Sequence, residues 1–503
     1  MKAGRIFAPG LSWLVVMVWA TVALAQAPDT LWTRRYAGLG DDRAYCIRQT
    51  FDQGYIIAGS SYSFGSGTTH CWLVKIDADG DTLWTRTYGS SECDEAFSVV
   101  QYADSGYVFV GYSRITPTGY EFIHAVRVNS VGDTVWSKYY QHGIDPYPGA
   151  PWDYRDNRGY SVISSGDGGF VLTGFTKWLL YSWPGWPPDI YVQMTLEKLN
   201  FNGETVWLRF HGEMYPDFPQ SSGYSLRKTS DGGYIVAGRY DNVSRLVMWL
   251  LKANSLGFLE WSCLYCGEGG IAHDVQLAGD GGYVLAGLCR YHWGGPYYCL
   301  LKIDSTGAEE WHAAYDMVST AYSVSVLPDG GYLVTGAGNG VLPLVRTNTT
   351  GDTLWTKDIG PAGQGTDGRS VIVSSDGSIV VAGYCNAVSG GGKDFYVVKL
   401  SSETSAIQPN RQGVVPNSFA LRAPYPNPFN PATTTAYDVP VQGNVKLNVY
   451  NIMGQELATL ADGPASPGSY SVTWDARDLP SGIYFVRMEA GEFVQTRKVV
   501  LLK

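Results

Sequence analysis

Apolar and polar positions along this chain recur in the rhythm of a hairpin. The segment Asp52-Gln-Gly-Tyr-Ile-Ile-Ala-Gly59, a turn followed by an apolar run, returns at 104–111, 167–174, 231–238, 280–287, 329–336 and 376–383. Self-similarity at a fixed period outranks any local motif as a guide to architecture. Six residues before each of those aspartates stands a small or polar residue, Cys46, Ser98, Ser161, Ser225, Asp274, Ser323 or Ser370, usually preceded by an aromatic. Asp-x-Gly between two apolar runs predicts a three-residue hairpin loop, a type I turn closed by a left-handed glycine. Gly54, Gly106, Gly169, Gly233, Gly282 and Gly331 fill that place, and Ser378 stands in the seventh copy. The return strands are apolar on both faces, as in Ile56, Ile57 and Ala58, which predicts burial between neighbouring sheets.

A second hairpin follows each first one. A basic residue is followed nine positions later by tryptophan in Lys75 to Trp84, Arg127 to Trp136, Lys198 to Trp207, Lys252 to Trp261, Lys302 to Trp311 and Arg346 to Trp355, with x-Gly at the centre of each. A two-residue loop sets each cation directly opposite its indole, where stem and charge can lie on the ring. A bulged loop with the pair set diagonally is the alternative, because Val131 and Leu256 disfavour positive φ.

Two hairpins per unit give four strands, and seven units of about fifty residues predict an all-β fold, a seven-bladed β-propeller over residues 26–401. The ends favour a closed ring over an open stack. Trp32 stands at the start without a basic strand before it, and Lys399 ends the repeats without a tryptophan strand after it. Pairing 31–36 with 394–401 makes one hairpin of these halves and leaves no open edge. The units resemble the repeats of quinoprotein-type (PQQ-like) propellers over roughly residues 29 to 401. Adjacent cysteines and calcium features are not evident, so the resemblance implies scaffold and no cofactor. The sialidase Asp-box is close to Asp79-Gly-Asp-Thr-Leu-Trp84, but here Trp follows Gly by four positions rather than three.

Length variation falls on the remaining connections, which a propeller gathers on the face opposite the turns. The longest, 139–159 and 176–193, belong to the third unit, and 211–222 follows. They carry Trp152, Asp153, Tyr154, Trp178, Tyr181, Trp183, Trp186, Asp189, Tyr215 and Asp217. Flat aromatic faces with carboxylates suit glycan or protein recognition, while the alternative is that they pack to hold a long loop. No G-x-S-x-G, H-E-x-x-H or Walker loop occurs, and the seven histidines lack ligand spacing. No catalytic residue is assigned. An acidic pair in the third unit, as in a carbohydrate-active enzyme, and a structural surface-layer role remain the other readings.

Charge narrows the partners. A formal net charge of −10 argues against nucleic acid, which needs clustered Lys and Arg. Lys2 and Arg5 precede an apolar run from Leu11 to Ala25 that closes on Ala-Leu-Ala, the layout of a signal peptide over 1–25 rather than of a membrane anchor. Export lets the eight cysteines pair. Cys263-Leu-Tyr-Cys266 has a metal-like gap without a second pair nearby, so a disulfide or buried thiols, and no metal, are expected.

After a polar, proline-containing linker at 402–416 the pattern changes. Val445, Leu447 and Val449, then Tyr470, Val472 and Trp474, alternate with polar residues, which predicts a β-sandwich of immunoglobulin type over 417–503. Tyr425-Pro-Asn-Pro-Phe-Asn-Pro-Ala-Thr433, Val449-Tyr-Asn-Ile-Met-Gly-Gln455, Leu479-Pro-Ser-Gly-Ile-Tyr-Phe-Val486 and the closing Lys498-Val-Val-Leu-Leu-Lys503 resemble the type A C-terminal sorting domain of type IX secretion substrates. The resemblance implies a partner, the type IX machinery, and an extracellular or cell-surface destination after removal of the domain.

Overall fold

A computed structural model describes residues 27–403 and 418–502 with short interruptions, the longest at 143–151, 181–188 and 213–219. The proposed signal segment and most of the stretch 402–416 lie outside the described residues. The chain divides into two compact units, Met1–Thr404 and Ser405–Lys503.

In the first unit each repeat forms four antiparallel strands. The first set is Asp42–Gln49, Tyr55–Ser61, His70–Ile76 and Thr82–Tyr88, paired in that order. Sets of the same kind follow along the chain, and the strand Glu309–Val326 serves two of them, pairing first with Pro296–Ile303 and then with Tyr332–Gly338. The seventh set, Asp367–Val373, Ile379–Asn386 and Lys393–Leu400, takes its fourth strand, Thr30–Tyr36, from the other end of the chain. Buried apolar cores lie between successive sheets all the way round. The one that joins the seventh sheet to the first packs Val380, Val397 and Phe395 against Ile47, Ile57 and Val74. A closed ring of four-stranded sheets packed face to face is a β-propeller.

The first turn has the expected type with its residues shifted by one. The left-handed residue is the one before the glycine: Gln53 at φ 68°, Ser105 at φ 65°, Gly281 at φ 88°. The glycine has another cause, since a Cβ on Gly282 would stand 2.3 Å from the Ile303 carbonyl oxygen. The aspartate closes the turn by accepting the amide two residues on, as Asp280 does from Gly282 at 2.9 Å.

The second hairpin combines both alternatives. Its loop is bulged, yet each cation stands directly opposite its tryptophan, from Lys75 and Trp84 to Arg346 and Trp355, and Lys399 faces Trp32 across the seam. The charge, however, goes to the aspartate of the first turn rather than to the indole. Lys75 meets Asp52 at 2.9 Å, Lys252 meets Asp231 at 2.7 Å and Lys302 meets Asp280 at 2.8 Å, and Arg127, Lys198, Arg346 and Lys399 pair likewise with Asp104, Asp167, Asp329 and Asp376. An ion pair inside the sheet outweighs a cation over a half-exposed ring. The indole reaches the next sheet instead: Trp84 Nε1 donates to the Ser130 carbonyl at 3.1 Å and Trp136 Nε1 to Phe201 at 3.0 Å. In five of the sheets a tyrosine four residues after it adds a second tie, as Tyr88 Oη donates to the Gly132 carbonyl at 2.7 Å and Tyr265 to Gly307 at 2.7 Å. At the seam, where no such turn exists, Glu403 accepts from Trp355 Nε1 at 3.0 Å and from Arg346 Nε at 2.8 Å.

The second unit has two sheets. Ala420–Leu421, Ala432–Val439 and Gly468–Asp475 form one, and Glu456–Ala465, Gly443–Asn451, Gly482–Ala490 and Phe493–Leu501 the other. Val445, Leu447 and Val449 meet Trp474 from the opposite sheet in one core, which makes a β-sandwich. Its strand Glu456–Ala465 pairs with Gly443–Asn451, whereas the constant-type immunoglobulin order sets the fourth strand beside the fifth.

Candidate functional site

The aromatic and acidic residues singled out in the third repeat fall into two groups. Tyr181, Trp183, Trp186, Tyr215 and Asp217 lie outside the described residues. Trp152, Asp153 and Tyr154 begin the strand Trp152–Ser164 rather than occupying a loop, and Trp178 and Asp189 lie in its neighbours Phe170–Leu180 and Asp189–Leu199. Register puts Tyr154 opposite Trp178, and Leu180 opposite both Trp152 and Asp189. The connections expected at 139–159 and 176–193 are therefore partly ladder: these strands run 13, 11 and 11 residues. Aromatic and β-branched positions such as Trp152, Tyr154 and Ile190-Tyr191-Val192 favour pairing when two long arms run side by side, and pairing satisfies their backbone groups. Nearby carboxylates are already engaged. Asp156 meets Lys177 at 3.1 Å, and Glu121 takes two bonds from Arg158 at 2.5 and 2.7 Å and one from Arg114 at 2.9 Å.

A second constellation lies on the ring axis. Every innermost strand carries a β-bulge at the same place, between Ala44 and Cys46 in the first sheet and between Gly368 and Ser370 in the seventh. A bulge re-aims its extra residue, and here the extra residues are Tyr45, Phe97, Tyr160, Tyr224, His273, Tyr322 and Arg369, which all line the channel. They touch in sequence. Ring centroids are 5.1 Å apart for Tyr45 and Phe97, 5.1 Å for Phe97 and Tyr160, 5.0 Å for Tyr160 and Tyr224, and 5.0 Å for His273 and Tyr322, and Arg369 lies 3.8 Å over Tyr322. Burial, with Arg369 and Arg239 near, lowers the His273 imidazole to about 3, so it is neutral at physiological pH. The sequence did show an aromatic before most of the small residues, but without a bulge that position reads as one more core residue.

The small residue after each bulge fastens one sheet to the next. Ser98 Oγ accepts from the Val162 amide at 3.2 Å, Ser161 from Leu226 at 3.3 Å, Ser323 from Val371 at 3.2 Å and Ser370 from Ile47 at 3.3 Å. Toward the turns these residues and the aromatic ring enclose a cavity of about 490 Å³ that Arg48, Arg227 and Gln276 also line. Burial pushes the Glu95 carboxyl up, against the effect of Tyr45, Arg158 and Arg43. Among the cysteines, Cys266 is bonded to Cys289, and Cys263 is free, so the Cys-x-x-Cys pair does not act as a unit.

Residues 423–502 match the family described as a secretion system C-terminal sorting domain. The chain is an exported protein. Its sorting domain addresses it to the type IX machinery and to the extracellular space or the cell surface. Among the described residues no helix is long and apolar enough to cross a membrane. No curated protein matches the sequence. Among solved structures, an ulvan lyase, a polysaccharide lyase, is similar at 11% identity and TM-score 0.47, covering 74% of this chain and 96% of that one. A streptogramin B lyase is similar at 11% identity and TM-score 0.43, covering 74% and 98%. A protein of unknown function from Bacteroides caccae is similar at 13% identity and TM-score 0.35, covering 64% and 94%.

Proposed function

We propose that the exported chain is a binding protein whose propeller presents the third sheet's aromatic and acidic residues to a glycan or to another protein. The observation that supports this is an asymmetry between the faces. One face carries turns of a single design, while on the other a single sheet is drawn out into strands of 11 and 13 residues bearing Trp152, Tyr154 and Trp178. Regular turns serve the fold, and the departure from regularity is where recognition is built. Two acids of this region, Asp156 and Glu121, are held in ion pairs and are not available as a hydrolytic pair, which supports binding. A glycan array probed with the full chain, followed by incubation of each retained glycan, tests the reading: retention without new products is expected. Product release assigns an enzyme instead, and retention of no glycan or surface protein removes the proposal.

A further inference from the structure

We propose that the turn-side cavity of the propeller channel is a second binding site, for an anionic sugar seated on the aromatic ring with its acid group on Arg48. The two halves of the cavity wall differ. Around the fourth to sixth sheets donors and acceptors satisfy one another. Asp274 accepts from Ser225 Oγ at 2.7 Å, Arg227 Nη2 at 2.8 Å and Ser323 Oγ at 3.2 Å, and from the amides of Val275 and Val324 at 2.9 and 3.1 Å. Gln276 Oε1 accepts from Arg227 Nε at 3.1 Å.

Across the channel no carboxylate and no side-chain amide lines the wall among the described residues. Arg48 gives one bond, to the Ile47 carbonyl at 2.9 Å, and among the described residues no carboxylate is within ion-pair distance of it. Ser98, Ser161 and Ser370 each accept an amide at Oγ, which leaves the hydroxyl proton for an acceptor inside the cavity. A half-wall without carboxylates and with one unmatched guanidinium selects an occupant that brings oxygens and negative charge, and the planar fork of arginine matches a carboxylate or sulfate ester. On the same side Tyr45, Phe97 and Tyr160 line the cavity with their rings tilted by 56° and 42° to one another, an apolar wall suited to the C–H face of a sugar. The cavity, about 490 Å³, is of the size that small-molecule sites have. This site faces the turns, away from the drawn-out end of the third sheet, and stands independently of the loop-face reading.

Isothermal titration calorimetry of the full chain with D-glucuronate, D-glucose and inorganic sulfate tests the assignment. Saturable binding of glucuronate is expected, with glucose weaker by about tenfold or more, since it lacks the charge that Arg48 matches. Arg48→Gln should weaken glucuronate by about tenfold to a hundredfold, and Arg48→Lys, which keeps the charge and the fold, by less. Three results overturn the proposal: no heat with glucuronate, unaltered affinity in both Arg48 variants, or sulfate binding as tightly as glucuronate, which reduces the site to an ion trap.

Discussion

Lys302 is almost wholly buried, yet two carboxylates reach it, Asp280 at 2.8 Å and Glu310 at 2.9 Å, and both of those side chains are about half exposed. The asymmetry of burial fixes which deletion hurts. Lys302→Met leaves two acids that water can solvate and a stem that still fills its place, so a loss of about 1 kcal/mol or less is expected. Removing both acids strands a buried ammonium, and Asp280→Ala with Glu310→Ala should cost about 3 kcal/mol or more, read from denaturant unfolding of each variant. Acid should act on the same pairs. The Lys252 ammonium and the Thr229 hydroxyl hold the Asp231 carboxyl well below the usual carboxylate range, and Lys198 with Ser165 do the same for Asp167. A depressed carboxylate contributes stability that is complete above the unfolded value of about 4 and fades as pH falls toward the folded one. The melting temperature should therefore hold from pH 7 to about pH 4 and decline below it, with the decline shallower in Asp231→Asn. Because these aspartates are more than half exposed, solvent screens the pairs and the slope per pair is small.

The repeated hairpins were legible in the sequence because turn chemistry is local. Asp-x-Gly and the basic–Trp spacing each lie within a dozen residues and report directly on the loop that joins two strands. What those residues do beyond their own sheet was not legible. Whether Lys75 lies on Trp84 or on Asp52 depends on how the two hairpins of one sheet align, and whether Tyr45 enters a core or the channel depends on a bulge that spacing does not encode. The third sheet shows the same limit, since Trp152 to Tyr154 read as loop until the partner arm ending at Leu180 is seen beside them. The two tryptophans beyond that arm carry the test of the binding reading. Trp183→Ala with Trp186→Ala should weaken glycan or protein binding while shifting the melting temperature by no more than a degree or two, since residues that only meet ligand add little to the fold. A packed tryptophan would instead cost about 3–5 kcal/mol on truncation, and a loss of that size would assign the pair to holding the segment in place.

At the scale of the ring, stability rests on strands from opposite ends of the chain. Asp29 and Ser401, 372 residues apart, exchange hydrogen bonds, and Thr30–Tyr36 covers the free edge of Lys393–Leu400. Deleting residues 27–36 should lower the melting temperature of the propeller far more than trimming an ordinary terminus, because it bares a sheet edge and takes Tyr36 and Trp32 from the core at the seam; an unchanged value would mean the ring holds without its seam. Deleting residues 417–503 should do the reverse, leaving a folded propeller that fails to reach the cell exterior, as followed by fractionation. The seam also decides where the chain can be cut. Glu403 supplies the acceptor for both Trp355 and Arg346. A protease that trims the C-terminal unit after residue 403 yields a mature propeller with its closing bonds complete. A cut one residue earlier leaves the buried Arg346 guanidinium with one partner fewer, so only a cut after Glu403 spares the ring closure.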